Sequence, residues 1–122
     1  MSRHHVPLHS ALARLPGPAG ERFAPVFERG SLTAEVYAPR GHDPQTPHRQ
    51  DEVYIVIQGS GTYCRDGERT PCGPGDLLFA AAGVDHRFEA FSDDFAVWVI
   101  FYGPDGGERP GTRRVLGTEV DG

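Results

Sequence analysis

The chain contains no lysine. All twelve basic residues are arginine, seventeen acidic residues outnumber them, and the formal net charge is -5 with a pI near 5.6. No basic stripe is present to neutralise phosphates, so nucleic acid is not an expected partner. Apolar runs fall far short of the ~20 residues that span a bilayer, which argues against a membrane partner. The opening Met1-Ser2-Arg3-His4-His5-Val6-Pro7 has no apolar signal core, and a soluble, cytoplasmic protein is the expectation. Catalytic serine contexts of the Gly-x-Ser-x-Gly kind are missing, as is any phosphate-cradling glycine loop, since Gly59-Ser60-Gly61 joins two strands rather than opening a helix. At 122 residues the chain suits one domain with one core.

Cysteine is scarce too. Cys64 and Cys72 flank Arg65-Asp66-Gly67-Glu68, and Asp-Gly favours a two-residue type I′ hairpin turn. That register sets Arg65 opposite Glu68, Cys64 opposite Arg69 and Cys72 opposite Gly61, which keeps the sulfurs apart and argues against a disulfide.

What the chain does have is β-texture. Residues 1–22 form an arm in which Leu8 to Leu15 can make a turn or two of helix, ended by Pro16-Gly17-Pro18. Short apolar stretches at Leu32–Tyr37, Glu52–Ile57, Thr62–Cys72, Leu77–Ala80, His86–Phe91 and Phe95–Tyr102 follow, separated by Gly, Pro and Asp clusters. This spacing predicts an all-β sandwich or barrel over residues 23–103. Residues 104–122, rich in Gly and Arg, read as a mobile tail or as an edge strand through Arg113-Arg114-Val115-Leu116.

Val53-Tyr54-Ile55-Val56-Ile57 and Phe95 to Phe101 are apolar on both faces. An antiparallel sheet normally keeps one face in water, so something must cover the second. With little helix available, a second copy packed across a two-fold axis is the favoured solution, a homodimer. The competing reading is a tightly rolled barrel whose own two sheets cover these strands.

Two stretches thirty-odd residues apart carry the chemistry. His48 and Glu52 are four residues apart on what reads as one strand, so alternation points both side chains to one side. His86 opens a second apolar strand. If the three meet, two imidazoles and a carboxylate form a site for a divalent first-row metal with open positions. The plainer alternatives are a hydrogen-bonded histidine and a Glu52 paired with Arg49 or Arg87.

The spacing of both stretches resembles the cupin superfamily, in particular its small single-domain members of the cupin 2 conserved barrel type. Glu52 is followed by six residues and Gly59, His48 stands where the first motif's second histidine belongs, and Gly75, Gly83 and His86 fall on the second motif. The resemblance covers roughly residues 30–101. It implies an antiparallel double-stranded β-helix, or jelly-roll barrel, and one divalent metal, Fe(II), Mn(II), Ni(II) or Zn(II), held by His48, Glu52 and His86. Thr46 replaces the first histidine of the pattern, Ala81 the proline and Ala90 the asparagine, and Gly41 is one residue closer than usual. The fourth position then falls to water, substrate, or an amide such as Gln45 or Gln50.

Alternation also sends Gln50, Tyr54 and Phe88 toward the cavity, the expected substrate pocket. Arg40, Arg49 and Arg87 can bring positive charge to its mouth or pair with surface carboxylates, and parity turns Arg49 and Arg87 away. Two functions stay open: a metalloenzyme of dioxygenase, isomerase or decarboxylase type acting on a small organic molecule, or a non-catalytic ligand-binding or sensor module with a vacant or structural metal site.

Overall fold

The computed structural model describes residues 2–109, 111 and 113–120. One five-residue helix, α1 (Leu8–Leu12), precedes ten strands: β1 (Phe23–Arg29), β2 (Leu32–Tyr37), β3 (Asp51–Gln58), β4 (Gly61–Arg65), β5 (Glu68–Cys72), β6 (Leu77–Ala80), β7 (His86–Glu89), β8 (Ala96–Tyr102), β9 (Arg113–Val115) and β10 (Thr118–Val120). A five-stranded sheet runs β1-β2-β8-β3-β6 and a three-stranded sheet β5-β4-β7. Every described ladder is antiparallel. The jumps in strand order are those of a jelly roll, the fold class the sequence implies.

Turn chemistry fixes the register. The β4–β5 hairpin pairs Arg65 with Glu68, Cys64 with Arg69 and Gly61 with Cys72, around Asp66 and Gly67 at φ 50° and 83°. Two successive left-handed residues are what a type I′ turn demands. Both cysteines are buried and free. Gly59, with φ at 74°, closes β3; a Cβ there would stand 2.8 Å from the Phe95 Cα. Turn conformation and close backbone approach both therefore require glycine at this position.

Alternation along the strands builds the core. Tyr37, Tyr54, Val56, Val97 and Val99 of the wide sheet pack on Tyr63, Cys72 and Phe88 of the narrow one, with Phe95 between. The Phe88 ring meets Tyr54 at 5.0 Å and Phe95 at 4.9 Å, both edge to face. Burial of each such side chain is worth ~1.5–3 kcal/mol, with an increment for the aromatic geometry. Three strands cannot cover five, and the inner face of β2 and β8 opens instead into a cavity.

The outer face corrects one premise of the sequence reading. The N-terminal arm folds back over it, burying Ala11 of α1 against Ala24 and Val36, with Val6, Leu12, Leu15, Val26, Ile57 and Trp98 packed around them. A very short helix, held by the apolar surface under it rather than by its own propensity, thus covers part of the face assigned to a second copy. At the far end, the Arg113 guanidinium lies 5.2 Å from the Phe79 ring centre. Arg113 belongs to β9, which pairs with β10 as a separate hairpin and not as an edge of either large sheet. Among the described residues no helix is long and apolar enough to cross a membrane.

Candidate metal centre and its cavity

Glu52 lies on β3 opposite Phe101 of β8 and Ala80 of β6, and alternation turns it inward with Tyr54 and Val56. His86 opens β7 opposite Arg65. His48 is not on the strand, as its four-residue spacing from Glu52 suggests, but in the irregular segment before β3. Its backbone is tied to the second stretch: the Gly83 N–H donates to the His48 carbonyl at 2.8 Å. Nearby, Asp51 accepts from the backbone N–H groups of Ala82 and Glu108, each at 2.9 Å. These bonds stitch the two stretches together, and one ligand atom from each of His48, Glu52 and His86 lies within 4.8 Å of the others.

Glu52 and His86 are almost wholly buried, at 1% and 2% exposure, while His48 faces the cavity. His86 Nδ1 donates to the Val84 carbonyl at 2.8 Å. That bond fixes the proton on Nδ1 and aims Nε2 at Glu52 Oε1, 2.5 Å away. Two acceptors cannot face each other at that separation, so a proton lies between them, and a metal with bonds of about 2.0–2.2 Å to each atom would take that proton's place only as the pair opens. Burial pulls the His86 imidazole toward neutrality, but the bonds to Glu52 and Val84 outweigh it and raise the group above its ordinary value.

The other Glu52 oxygen, Oε2, is buried without any hydrogen-bond partner. An orphaned carboxylate oxygen beside an imidazole of fixed tautomer fits a metal centre. The donor set of two nitrogens and one carboxylate suits Zn(II), Fe(II), Mn(II) or Ni(II).

A chain of buried hydrogen bonds supports the site from behind. Tyr54 Oη lies 3.0 Å from His86 Nε2 and donates to Gln45 Oε1 at 2.7 Å. The Gln45 amide donates to Asp43 Oδ2 at 2.7 Å, which also accepts from the Phe88 N–H at 2.8 Å. The Tyr37 hydroxyl donates to the other Asp43 oxygen. Burial first, then nearby carboxylates, push the Tyr54 and Tyr37 phenols upward, so both stay protonated donors. Asp43 is buried, and no spacing rule in the sequence marks an acid covered by a loop folding back on the barrel.

The cavity has a volume of about 720 Å³. Thr33, Glu35 and Tyr37 of β2, Val99 and Phe101 of β8, and the segment carrying Arg40, His42, Gln45, Thr46, His48 and Arg49 line it. Burial first, then the charges of Glu52 and Glu28, raise the Glu35 carboxyl above its ordinary value.

The expected pocket residues separate. Gln50 lines the cavity, with its amide nitrogen donating to the carbonyls of Ser31 at 2.9 Å and Gly103 at 2.8 Å. Tyr54 and Phe88 point inward as alternation requires, yet sit in the packed aromatic core and do not line the open space. The narrow sheet closes over that end. Arg87 pairs with Glu89 at the surface, as parity suggests. Arg49 lines the cavity, because it precedes β3 in bent backbone where alternation does not apply.

A family model described as the cupin domain matches residues 34–102. The chain belongs to the cupin family. It is similar to an uncharacterized protein of Streptomyces coelicolor, 40% identical over 63 residues, which are 52% of this chain and 60% of that protein. Among solved structures, KdgF from a Halomonas species matches with a TM-score of 0.59 at 23% identity, over 66% of this chain and 76% of its own. EutQ of Clostridium difficile matches with a TM-score of 0.57 at 18% identity, over 69% and 67%. A cupin 2 conserved barrel protein of Salinispora arenicola gives 0.56 at 19%, over 66% and 74%. At these identities the structures speak for the cupin fold alone, and the functional reading rests on this cupin's own residues.

Proposed function

We propose that this cupin is a metal-dependent protein in which His48, Glu52 and His86 hold one divalent transition metal at the wall of a cavity that takes a small organic molecule. The observation that carries the reading is the buried, partnerless Glu52 Oε2 beside a His86 whose Nδ1 is committed to Val84. When bound, such a metal supplies Lewis acidity or an oxygen-activating centre, the chemistry of dioxygenase-, isomerase- or decarboxylase-like cupins. The chain's own residues orient and exclude: the Val84 carbonyl sets the His86 ring, Tyr54 packs beside it, and Glu35 keeps a carboxyl group in the cavity, positioned to hold a proton. Thr46, beside His48 on the cavity wall, leaves the fourth position to water or substrate, since Gln45 Oε1 already accepts from Tyr54. A Co(II) titration followed by visible absorption should saturate at one equivalent per chain and lose its signal in His86→Ala. Silence in the native protein would sink the reading. If cobalt binds but nitric oxide finds no open position beside it, the metal is structural, and the module is a ligand sensor rather than an enzyme.

The barrel of residues 23–103 is the functional unit, and a second copy its partner. Support comes from the outer row Phe27-Ala34-Ile100-Val53-Phe79, in register across five strands, with Phe27 at 38% and nearby Leu77 at 65% exposure. The arm covers only part of this face. Light scattering should give twice the chain mass, reverting to one in Leu77→Glu. Buried free cysteines suit a reducing compartment such as the cytoplasm.

A further inference from the structure

The cavity wall holds a pair of guanidinium groups that the metal reading does not use. Arg22 immediately precedes β1 and Arg40 follows β2, and both line the cavity. Arg22 Nε donates to the Ala38 carbonyl at 2.8 Å. Arg40 donates to that same oxygen at 3.3 Å and to the Pro39 carbonyl at 3.1 Å. Two cations therefore share one acceptor. Among the described residues neither forms an ion pair with a carboxylate. Glu21, the acid adjacent in sequence, accepts from the Ala19 N–H at 2.8 Å.

Like charges held together need a reason. Burial first, and then the Arg40 charge, pull the Arg22 guanidinium below its ordinary value, so the pair sits under repulsion that an anion would relieve. Each guanidinium keeps several N–H donors beyond those used on Ala38 and Pro39, in the planar fork that matches an oxyanion. The Arg22–Ala38 backbone pair, in which the Ala38 N–H donates to the Arg22 carbonyl at 2.9 Å, and the shared carbonyl hold the fork in place before any ligand arrives. His48 opens onto the same cavity.

We infer that Arg22 and Arg40 form an oxyanion clamp, and that the cavity selects small organic anions, carboxylates or phosphates, whose charged end rests on this pair while the remainder reaches toward His48. The inference rests on the proposed small-molecule role of the cavity and adds the class of ligand. It assigns Arg22 and Arg40 to binding and not to the chemical step. Glu35 on the same wall, with its carboxyl biased toward the neutral acid, opposes such a ligand less than an ordinary carboxylate would.

Titrations of cobalt-loaded, isotope-labelled protein test it with three probes: succinate, its uncharged counterpart butane-1,4-diol, and inorganic phosphate. Succinate should shift the Nε–Hε resonances of Arg22 and Arg40 and bind at least tenfold tighter than the diol. Phosphate shows whether the clamp reads oxyanions generally or carboxylates alone. Arg40→Gln, an exposed position, and Arg22→Gln should each weaken succinate tenfold or more while cobalt stoichiometry stays unchanged. Diol binding as tight as succinate, silent arginine resonances, or variants that bind like the native chain would overturn the clamp. Loss of cobalt from the native protein would instead count against the metal site, so the two failures are distinguishable.

Discussion

Removing one member of the Glu52–His86 pair should cost far more from one side than from the other. Both side chains are almost fully buried and 2.5 Å apart, and Glu52 Oε2 already lacks a partner. His86→Ala leaves the carboxylate buried with neither oxygen compensated, a loss of ~3–5 kcal/mol. Glu52→Gln keeps the shape and offers an amide N–H to His86 Nε2, replacing a charge-assisted bond by a neutral one at a loss of about 1 kcal/mol. With a urea slope of ~2 kcal/mol per molar, the midpoint should fall by roughly 2 M for the first variant and about half a molar for the second. Both are measured in chelator, so that metal does not contribute. Adding Glu52→Gln to His86→Ala should restore about 1–2 kcal/mol, because the stranded charge is removed. Equal losses for the single variants, or a double variant as unstable as their sum, would refute the pairing.

Other outcomes follow from the same geometry. His86 sits above its ordinary value in the fold, so its contribution to metal-free stability is complete below about pH 6.5 and is lost as pH rises through the folded value. Metal must displace the proton between Nε2 and Glu52, so Zn(II) stabilisation should grow over the same range. Melting curves with chelator and with zinc that move in parallel with pH would contradict this. Ala90 holds φ at 50° where the family pattern has asparagine; Ala90→Asn should stabilise by ~0.5–1 kcal/mol in denaturant melts, since asparagine tolerates left-handed backbone better. Restoring the pattern with Thr46→His should tighten cobalt binding at least tenfold. An unchanged affinity would mean that position 46 does not reach the metal.

The strands were legible because they depend on local signals, alternation and turn residues, while the meeting of His48, Glu52 and His86 was implied by the resemblance of both stretches to the cupin motifs. The Asp66-Gly67 turn set the β4–β5 register down to the cysteines. Less legible was whatever depends on segments folding over one another. His48 reaches the site from a loop because Gly83 holds its carbonyl, which alternation cannot express. Asp43 is buried by loop closure, and Arg49 faces the cavity from bent backbone. The arm reads as a weak helix by propensity, and only the apolar surface of Val36 and Trp98 beneath it explains why Leu8–Leu12 folds where it does. Tyr54 and Phe88 had the right direction but the wrong depth, because sheet width, not parity, decides where the core ends and the cavity begins.

One divalent metal held by His48, Glu52 and His86 is the central claim. A crystal structure of metal-loaded protein, with anomalous diffraction data collected at the metal's absorption edge, tests it most directly. A single anomalous peak within bonding distance of His48, Glu52 and His86 is the predicted result. A peak elsewhere, or none in protein crystallised with excess metal, would contradict it.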